Sequence, residues 1–151
     1  GVLFLGLMLT ATGPVNLEYN CRFGDPEAQV LLPLMEEDLL EALTLPEEEF
    51  VTRRLETGRH AATVVLASGG YPGSYPTGLP ITGLENVSDC IVYHAGTRLQ
   101  DGALVTAGGR VLAVTALGDT LAAAVNTAYR EIGKINFEHK QYRTDIGRRT
   151  L

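Results

Sequence analysis

The chain has few cysteines and few basic residues, and each scarcity excludes a class of function. Its two cysteines, Cys21 and Cys90, do not form a CxxC pair, which excludes a disulfide framework and a cysteine metal cluster. We interpret both as small buried hydrophobes in a reducing cytoplasm. The formal charge is −6, from 18 acidic and 12 basic residues, which argues against a nucleic-acid or anionic-membrane surface.

Long apolar runs are also missing. The most apolar segment is the opening GVLFLGLML at residues 1–9, which is too short to span a bilayer. No basic residue precedes it and no small-residue cleavage site follows it, so it does not fit a signal peptide. It predicts a buried β-strand instead. Because it starts without an initiator Met, we expect that sequence upstream of Gly1 is missing.

The segment VNLEYNCRF at residues 15–23 alternates in polarity, which predicts a β-strand. One of its faces would carry a row of four polar side chains: Asn16, Glu18, Asn20 and Arg22. Glu18 and Asn20 offer hard oxygen donors of the kind that Mg²⁺ takes, and Arg22 offers a planar fork for phosphate oxygens. The residues alone leave a second interpretation open, in which this row is the wet face of an edge strand.

The first of two predicted units covers residues 1–57. Its opening strands, at residues 2–10 and 15–22, predict an antiparallel hairpin closed by the turn ATGP. Asp25 and Pro26 match the N-cap and the first position of a helix. The segment EEDLLEALTL predicts a second short helix.

The second predicted unit covers residues 58–151 and completes an α+β fold class. Its strands are predicted in HAATVVLAS, ITGL, DCIVYHAGT and GALVTAGGRVLAVTAL, with a bend or bulge at Gly108 and Gly109. The segment GDTLAAAVNTAYREIGKI predicts an amphipathic helix. We therefore expect a mixed antiparallel sheet with one packed helix.

The segment LEYNCRFGDPEAQVLLPLM resembles the metal-binding strand of the phosphoribosylamine–glycine ligase family, which belongs to the ATP-grasp superfamily. The resemblance continues, in the family's order, through ASGGYPGSYPTG, YHAGT, GGRVLAVTALG and YRTDIGRR. It implies the carboxy-terminal hairpin and helices of an ATP-grasp domain, followed by the family's terminal domain. It also implies a cytoplasmic enzyme that uses ATP to join glycine to 5-phosphoribosylamine through a glycyl phosphate, in purine biosynthesis.

The resemblance gives the polar row a specific role. It implies that Glu18 and Asn20 are ligands of Mg²⁺ or Mn²⁺, and that Arg22 is a catalytic residue acting on the transferring phosphoryl group. One departure from the wider superfamily is that residues 1–9 contain no carboxylate, whereas many members carry a second acidic ligand on that strand. The number of metal ions therefore stays open.

Six further residues are candidates for substrate binding: Asp25, Glu27, His94, Gly96, Thr97 and Arg110. Several of these residues also have a structural interpretation. Asp25 and Glu27 suit a helix N-terminus, and His94 suits a packed strand. Arg110 would either reach a substrate phosphate or anchor a carboxylate of the fold.

Two functions from other classes compete with the ligase. A non-catalytic assembly or docking module has no need of Glu18 or Asn20, so the intact row counts against it. A nucleotide-binding sensor would need residues that grip adenine, and the sequence shows no such set.

We predict that the chain alone does not catalyse the reaction, because the family's substrate domain, lid and nucleotide-holding lysines would lie upstream of Gly1. In a steady-state assay with ATP, glycine and phosphoribosylamine, we expect no substrate-dependent release of ADP. An intact ligase assayed alongside serves as the positive control. Release of ADP by the chain alone, dependent on both substrates, would refute the prediction.

Overall fold

A computed structural model describes residues 1–50 and 58–148 of the chain. The fold begins with an antiparallel hairpin, in which β1 (Phe4–Thr10) pairs with β2 (Gly13–Asn20). The predicted hairpin is therefore confirmed. Among the described residues, these two strands pair only with each other.

The prediction that the opening strand is buried is wrong for the described chain. The hairpin exposes eight large hydrophobic side chains: Leu3, Leu5, Leu7, Met8, Leu9, Val15, Leu17 and Tyr19. Alternation reveals that a strand has an apolar face, but burial also needs a second layer to cover that face. Cys21 follows β2 and is exposed for the same reason, while Cys90 is half-buried; both thiols are free.

Three short helices follow the hairpin: α1 (Ala28–Leu31), α2 (Leu39–Thr44) and α3 (Glu47–Phe50). The second is the helix predicted from EEDLLEALTL. The carboxylate of Asp38 caps it by accepting hydrogen bonds of 2.8 and 3.0 Å from two backbone N–H groups of its first turn.

The prediction that Asp25 caps the first helix is wrong. The N-cap of α1 is Glu27, whose side chain makes no capping hydrogen bond. Asp25 instead accepts a hydrogen bond from Gln29 Nε2 at 3.0 Å and pairs with Arg110 at 2.9 Å. The hydrogen bond from Gln29 and the ion pair with Arg110 occupy both oxygens of the carboxylate, so a partner distant in sequence replaces the capping bond.

The described part of the second predicted unit, residues 58–148, contains five strands: β3 (His60–Ala67), β4 (Ile91–His94), β5 (Thr97–Gln100), β6 (Ala103–Thr106) and β7 (Arg110–Gly118). Three of them form an antiparallel sheet in the order β3–β7–β4, and β5 pairs with β6 in a separate hairpin. The bend predicted at the paired glycines separates β6 from β7.

The strand predicted in ITGL is not formed. Thr82 makes a single bridge to Asn136, and the chain then enters a 3₁₀ turn at Leu84–Asn86. Gly83 causes the change of direction, because it adopts a φ of +85°, which L-residues rarely adopt.

One face of the main sheet is covered by α4 (Leu121–Ile132). Thr120 caps this helix by accepting a hydrogen bond from the Ala123 N–H at 3.1 Å. The amphipathic repeat predicts one face of Leu121, Val125, Ala128 and Ile132; the last three are buried and Leu121 is half-buried. None of the described helices is long and apolar enough to cross a membrane.

The opposite face of the sheet is covered by α1, which contacts β3 and β7. Val64 belongs to the core under α4, so its neighbour Thr63 points to the other face. Thr63 and Thr115 are cross-strand partners with hydroxyl oxygens 2.6 Å apart, and Thr115 also donates to the Gln29 carbonyl at 3.0 Å. Covered on both sides, β7 is buried throughout residues 111–116.

The predicted boundary between residues 57 and 58 stays a prediction. The segment 51–57 lies outside the described residues. The two units contact each other through α1 and the main sheet.

A fully buried carboxylate, Glu131, connects α4 to the loop before β4. It accepts hydrogen bonds from Lys134 Nζ at 2.7 Å, the Ser88 N–H at 3.1 Å and Arg130 Nε at 3.1 Å. The hydrogen bond from Lys134 is the largest of the effects that lower the pKa of Glu131 to about 2, against the opposing effect of desolvation.

We predict that Glu131→Gln lowers the free energy of unfolding by about 2 kcal/mol at neutral pH, because charge-assisted hydrogen bonds to a buried group are lost. The native carboxylate has a depressed pKa, so its contribution is complete above the ordinary value of 4.5 and is lost as the pH falls towards about 2. Urea unfolding of both proteins across this pH range measures the difference. Glu138→Gln, in an exposed pair with His139, is the control and should change stability by less than about 0.5 kcal/mol. A difference that does not depend on pH would contradict the prediction.

Candidate active site

A cleft of about 620 Å³ lies where the segment after β2 meets the end of β4 and the start of β7. Its volume is within the range of small-molecule sites. Six polar or charged residues line it: Arg22, Asp25, Gln29, Tyr93, His94 and Arg110. Four of these, all except Gln29 and Tyr93, are candidates from the sequence, and the structure brings them together.

Glu18 and Asn20 lie on β2 opposite Gly6 and Phe4, and they do not line this cleft. A register shift between Gly6 and Leu7 makes Leu17 an extra residue in β2, so a β-bulge directly precedes Glu18. The side chain of Glu18 extends across Gly6, where an added Cβ would lie 2.9 Å from Glu18 Cγ. Both candidate ligands follow the bulge and project to one face of the strand, about 7 Å apart.

The donor set of Glu18 and Asn20 fits a hard divalent cation. Mg²⁺ prefers oxygen ligands and is commonly held by one or two protein groups together with water and phosphate oxygens. Zinc would require His or Cys ligands. Among the described residues, no group of three or more His, Cys, Asp or Glu side chains is placed to hold a metal ion.

Arg22 lies beyond the end of β2, so the regular row of polar side chains ends at Asn20. The guanidinium is exposed at the cleft and donates from Nη1 to the Phe23 carbonyl at 2.6 Å. This bond turns the side chain along its own loop and leaves other N–H groups of the fork for an anion in the cleft.

Asp25 and Arg110 form the main contact across the cleft. Arg110 Nη2 lies 2.9 Å from Asp25 Oδ2, and Nη1 donates to the Asp25 backbone carbonyl at 3.0 Å. Of the two interpretations that the sequence left open for Arg110, the structure shows the anchoring of a carboxylate. Both side chains remain about half exposed, at 40% for Arg110 and 54% for Asp25.

His94 lines the cleft, and its Nδ1 lies 3.0 Å from the hydroxyl of Thr97. Gly96 lies between them, and its backbone packs against Gly108. Neither Gly96 nor Thr97 lines the cleft, and Glu27 does not line it either. Their predicted roles in substrate binding stay predictions.

Sequence reasoning missed Gln29 and Tyr93. Gln29 lies four residues after Asp25, a spacing that joins side chains on one helical turn, so this partner was detectable. Tyr93 gave no signal, because neighbouring strand residues point to opposite faces and His94 was already the candidate. Burial raises the pKa of the Tyr93 phenol, which favours the protonated hydroxyl that can donate into the cleft.

Comparison with known families shows to which protein family the chain belongs. Residues 61–149 match the family described as "Phosphoribosylglycinamide synthetase, C domain", and residues 1–28 match "Phosphoribosylglycinamide synthetase, ATP-grasp (A) domain". The chain belongs to the phosphoribosylglycinamide synthetase family. The resemblance of the sequence to this family and the α+β class expected from it are therefore confirmed.

Relatives of the phosphoribosylglycinamide synthetase family match nearly the whole chain. It is 51% identical to the phosphoribosylamine–glycine ligase of Caldanaerobacter subterraneus subsp. tengcongensis, over 97% of this chain and 36% of the relative. It is 48% identical to the trifunctional purine biosynthetic protein adenosine-3 of Gallus gallus, over 100% of this chain and 16% of the relative. The crystal structure of phosphoribosylamine–glycine ligase from Thermotoga maritima superposes with a TM-score of 0.78 at 39% identity. That match covers 95% of this chain and 36% of the solved one, so the chain spans about a third of each ligase.

We predict that Gly96→Ala destabilises the fold by about 2 kcal/mol, because the added Cβ would lie 2.6 Å from Gly108 Cα and 2.7 Å from the Arg110 carbonyl oxygen. These are backbone atoms, which do not rotate away. Gly58→Ala is the control, since among the described residues its Cβ would meet only Glu36, at 3.7 Å, and it should change stability by less than about 0.5 kcal/mol. Urea unfolding measures both variants. A fully stable Gly96→Ala protein would contradict the packing role and favour the predicted substrate role.

Proposed function

We propose that this chain is the part of a phosphoribosylamine–glycine ligase that supplies the C domain and the adjoining strands of the ATP-grasp domain. The complete enzyme would use ATP to join glycine to 5-phosphoribosylamine, giving glycinamide ribonucleotide, ADP and phosphate in de novo purine biosynthesis. The observation that carries this proposal is the continuous similarity to the Caldanaerobacter ligase along almost the entire chain.

In this proposal the end of β2 serves phosphoryl transfer. Glu18 and Asn20 would hold Mg²⁺ or Mn²⁺ through a carboxylate and an amide oxygen. When bound, the ion supplies positive charge that neutralises the nucleotide phosphates. Arg22 would donate to the oxygens of the phosphoryl group as it passes from ATP to the glycine carboxylate, where charge accumulates in the transition state.

The cleft next to Arg22 is where we place the phosphate-bearing amine substrate. It lies directly after the strand that carries the candidate metal ligands, and its lining combines two guanidinium groups, an imidazole and a phenol. Tyr93 and His94 supply hydrogen-bond donors for phosphate or ribose oxygens. A substrate held there would lie beside Arg22, which follows Asn20 by two residues.

The exposed hairpin supports a role as one part of a larger enzyme. A cluster of exposed apolar side chains on β1 and β2 is typical of a surface that another protein segment covers. We propose that this segment is the remainder of the ATP-grasp domain, which would supply the nucleotide-binding residues. The free thiols of Cys21 and Cys90 agree with a reducing compartment, and we place the enzyme in the cytoplasm.

A chimera tests the proposal, with this chain replacing the matching segment of the Caldanaerobacter ligase. We expect the chimera to form glycinamide ribonucleotide with Mg²⁺. We predict that Glu18→Ala or Asn20→Ala lowers kcat by about 100-fold or more, because stabilisation of developing charge is lost. Asn16→Ala, an exposed polar change on the same strand, is the control and should keep the parent activity.

The outcomes separate the candidate functions. Full activity in both ligand variants would show that the polar row is structural and that the metal is held elsewhere. A folded chimera without any activity would favour the non-catalytic assembly module.

A further inference from the structure

The segment between β2 and α1 carries Arg22 and ends at a fixed point on the other unit. Three peptide units separate Arg22 from Asp25, so the two Cα atoms are at most about 10 Å apart. Asp25 is held by Arg110 through both its carboxylate and its backbone carbonyl. The position of Arg22 therefore depends on where Arg110 holds Asp25.

Arg110 is itself fixed by its backbone surroundings. The register between β3 and β7 shifts next to it: Arg110 pairs with Ala67, Leu112 pairs with Leu66, and Val111 is an extra residue between the two pairs. Its carbonyl accepts from the Gly96 N–H at 2.8 Å. The two residues before it are held by Ser68, whose N–H donates to the Gly109 carbonyl and whose hydroxyl donates to the Gly108 carbonyl, each at 2.8 Å.

A second connection holds the same segment to β7. Gln29 Nε2 donates to Asp25 Oδ1 at 3.0 Å, so both oxygens of the carboxylate have partners. The backbone carbonyl of Gln29 accepts from the Thr115 hydroxyl at 3.0 Å. The segment is thus attached to β7 at two points. Arg110 holds Asp25, and Thr115 holds Gln29, four residues further along the segment.

We propose that Arg110 is a positioning residue of the ligase. Through Asp25, it fixes the loop that carries Arg22, so the C domain sets the orientation of a phosphoryl-transfer residue that belongs to the ATP-grasp segment. This inference rests on the proposed function. It assigns Arg110 a role that acts through Asp25, and direct binding of substrate by Arg110 is the alternative that the test must exclude.

Electrostatics predicts an unusual combination of effects for this contact. Both partners are about half exposed, and ion pairs of that kind contribute little to global stability. Placement of a catalytic group is far more sensitive, since a displacement of about 1 Å can lower a rate by about 100-fold. Loss of the contact should therefore reduce turnover while leaving the unfolding transition almost unchanged.

The test uses the chimeric ligase with Arg110→Gln, Asp25→Asn and the double variant. We expect each single change to lower kcat by about 10- to 100-fold, with KM for all three substrates within about threefold of the parent. The double variant should be no worse than the worse single variant, because both changes remove one interaction. Arg98→Gln is the control: within the described residues this exposed guanidinium donates to Gln100, also on β5, and its loss should leave kcat unchanged.

Two kinetic results would overturn the proposal. A raised KM for phosphoribosylamine in Arg110→Gln, with kcat and the Asp25→Asn variant unaffected, would show that Arg110 binds substrate directly. Unchanged kinetics in all three variants would show that the contact is a surface ion pair without a role in catalysis.

Hydrogen exchange on the same proteins gives a readout that does not depend on activity. In Arg110→Gln we expect amide exchange within residues 22–29 to rise about tenfold or more, including the Ala28 N–H that bonds the Gly24 carbonyl at 2.9 Å. Exchange in β3 and β7 should stay unchanged. An inactive parent chimera would refute the proposed function, whereas unchanged exchange in the variant would refute the positioning role whatever the activity.

Discussion

The central strand β7 is the constraint on which the rest of the described structure depends. It is paired along both edges, by β3 and β4, and covered on both faces, by α4 and α1. A strand with no free edge and no free face has little room to shift, because interiors are packed as densely as organic crystals. Arg110 emerges from the first position of this strand. The cleft is therefore built against the most fixed element of the fold.

Two β-bulges lie next to the residues on which the chemistry depends. In the hairpin the extra residue is Leu17, directly before Glu18; in the main sheet it is Val111, directly after Arg110. A bulge adds one residue to a strand and so changes where the following side chains point. In each of the two sheets, a bulge thus lies directly beside a side chain with a proposed role.

Local patterns were sufficient for most of the fold. Alternation predicted β2 of the hairpin, the β-branched residues of HAATVVLAS predicted β3, the amphipathic repeat predicted α4, and the segment EEDLLEALTL predicted α2. The errors arose where a partner distant in sequence determines what a side chain contacts or whether it is buried. Asp25 has the local sequence of a helix cap, yet its charge is taken by Arg110, 85 residues away. Burial of Leu5 and Leu9 depends on a covering layer that no local pattern describes.

The sequence predicted the chemical character of the site's side chains better than it predicted which segments meet to form the site. The identity of Glu18, Asn20 and Arg22 suggests hard-metal and phosphate chemistry from residue type and order alone. Which residues of the second predicted unit line the cleft beside Arg22 depends on how α1 packs on the sheet, a contact between segments about 85 residues apart. For the same reason the sequence left the partner of Arg110 undecided.

The open hairpin also determines how the separate chain behaves in solution. Among the described residues, each strand of the hairpin has one edge whose backbone groups pair with no other strand, and β1 contains neither charge nor proline. Natural edge strands usually carry lysine, proline or a covering segment, which prevent pairing with a second molecule. Here the unpaired edge of β1 is apolar and could pair with a second molecule while the main sheet is folded. Self-association through this edge would then limit the concentration at which the separate chain stays monomeric, under conditions in which its main sheet is still folded.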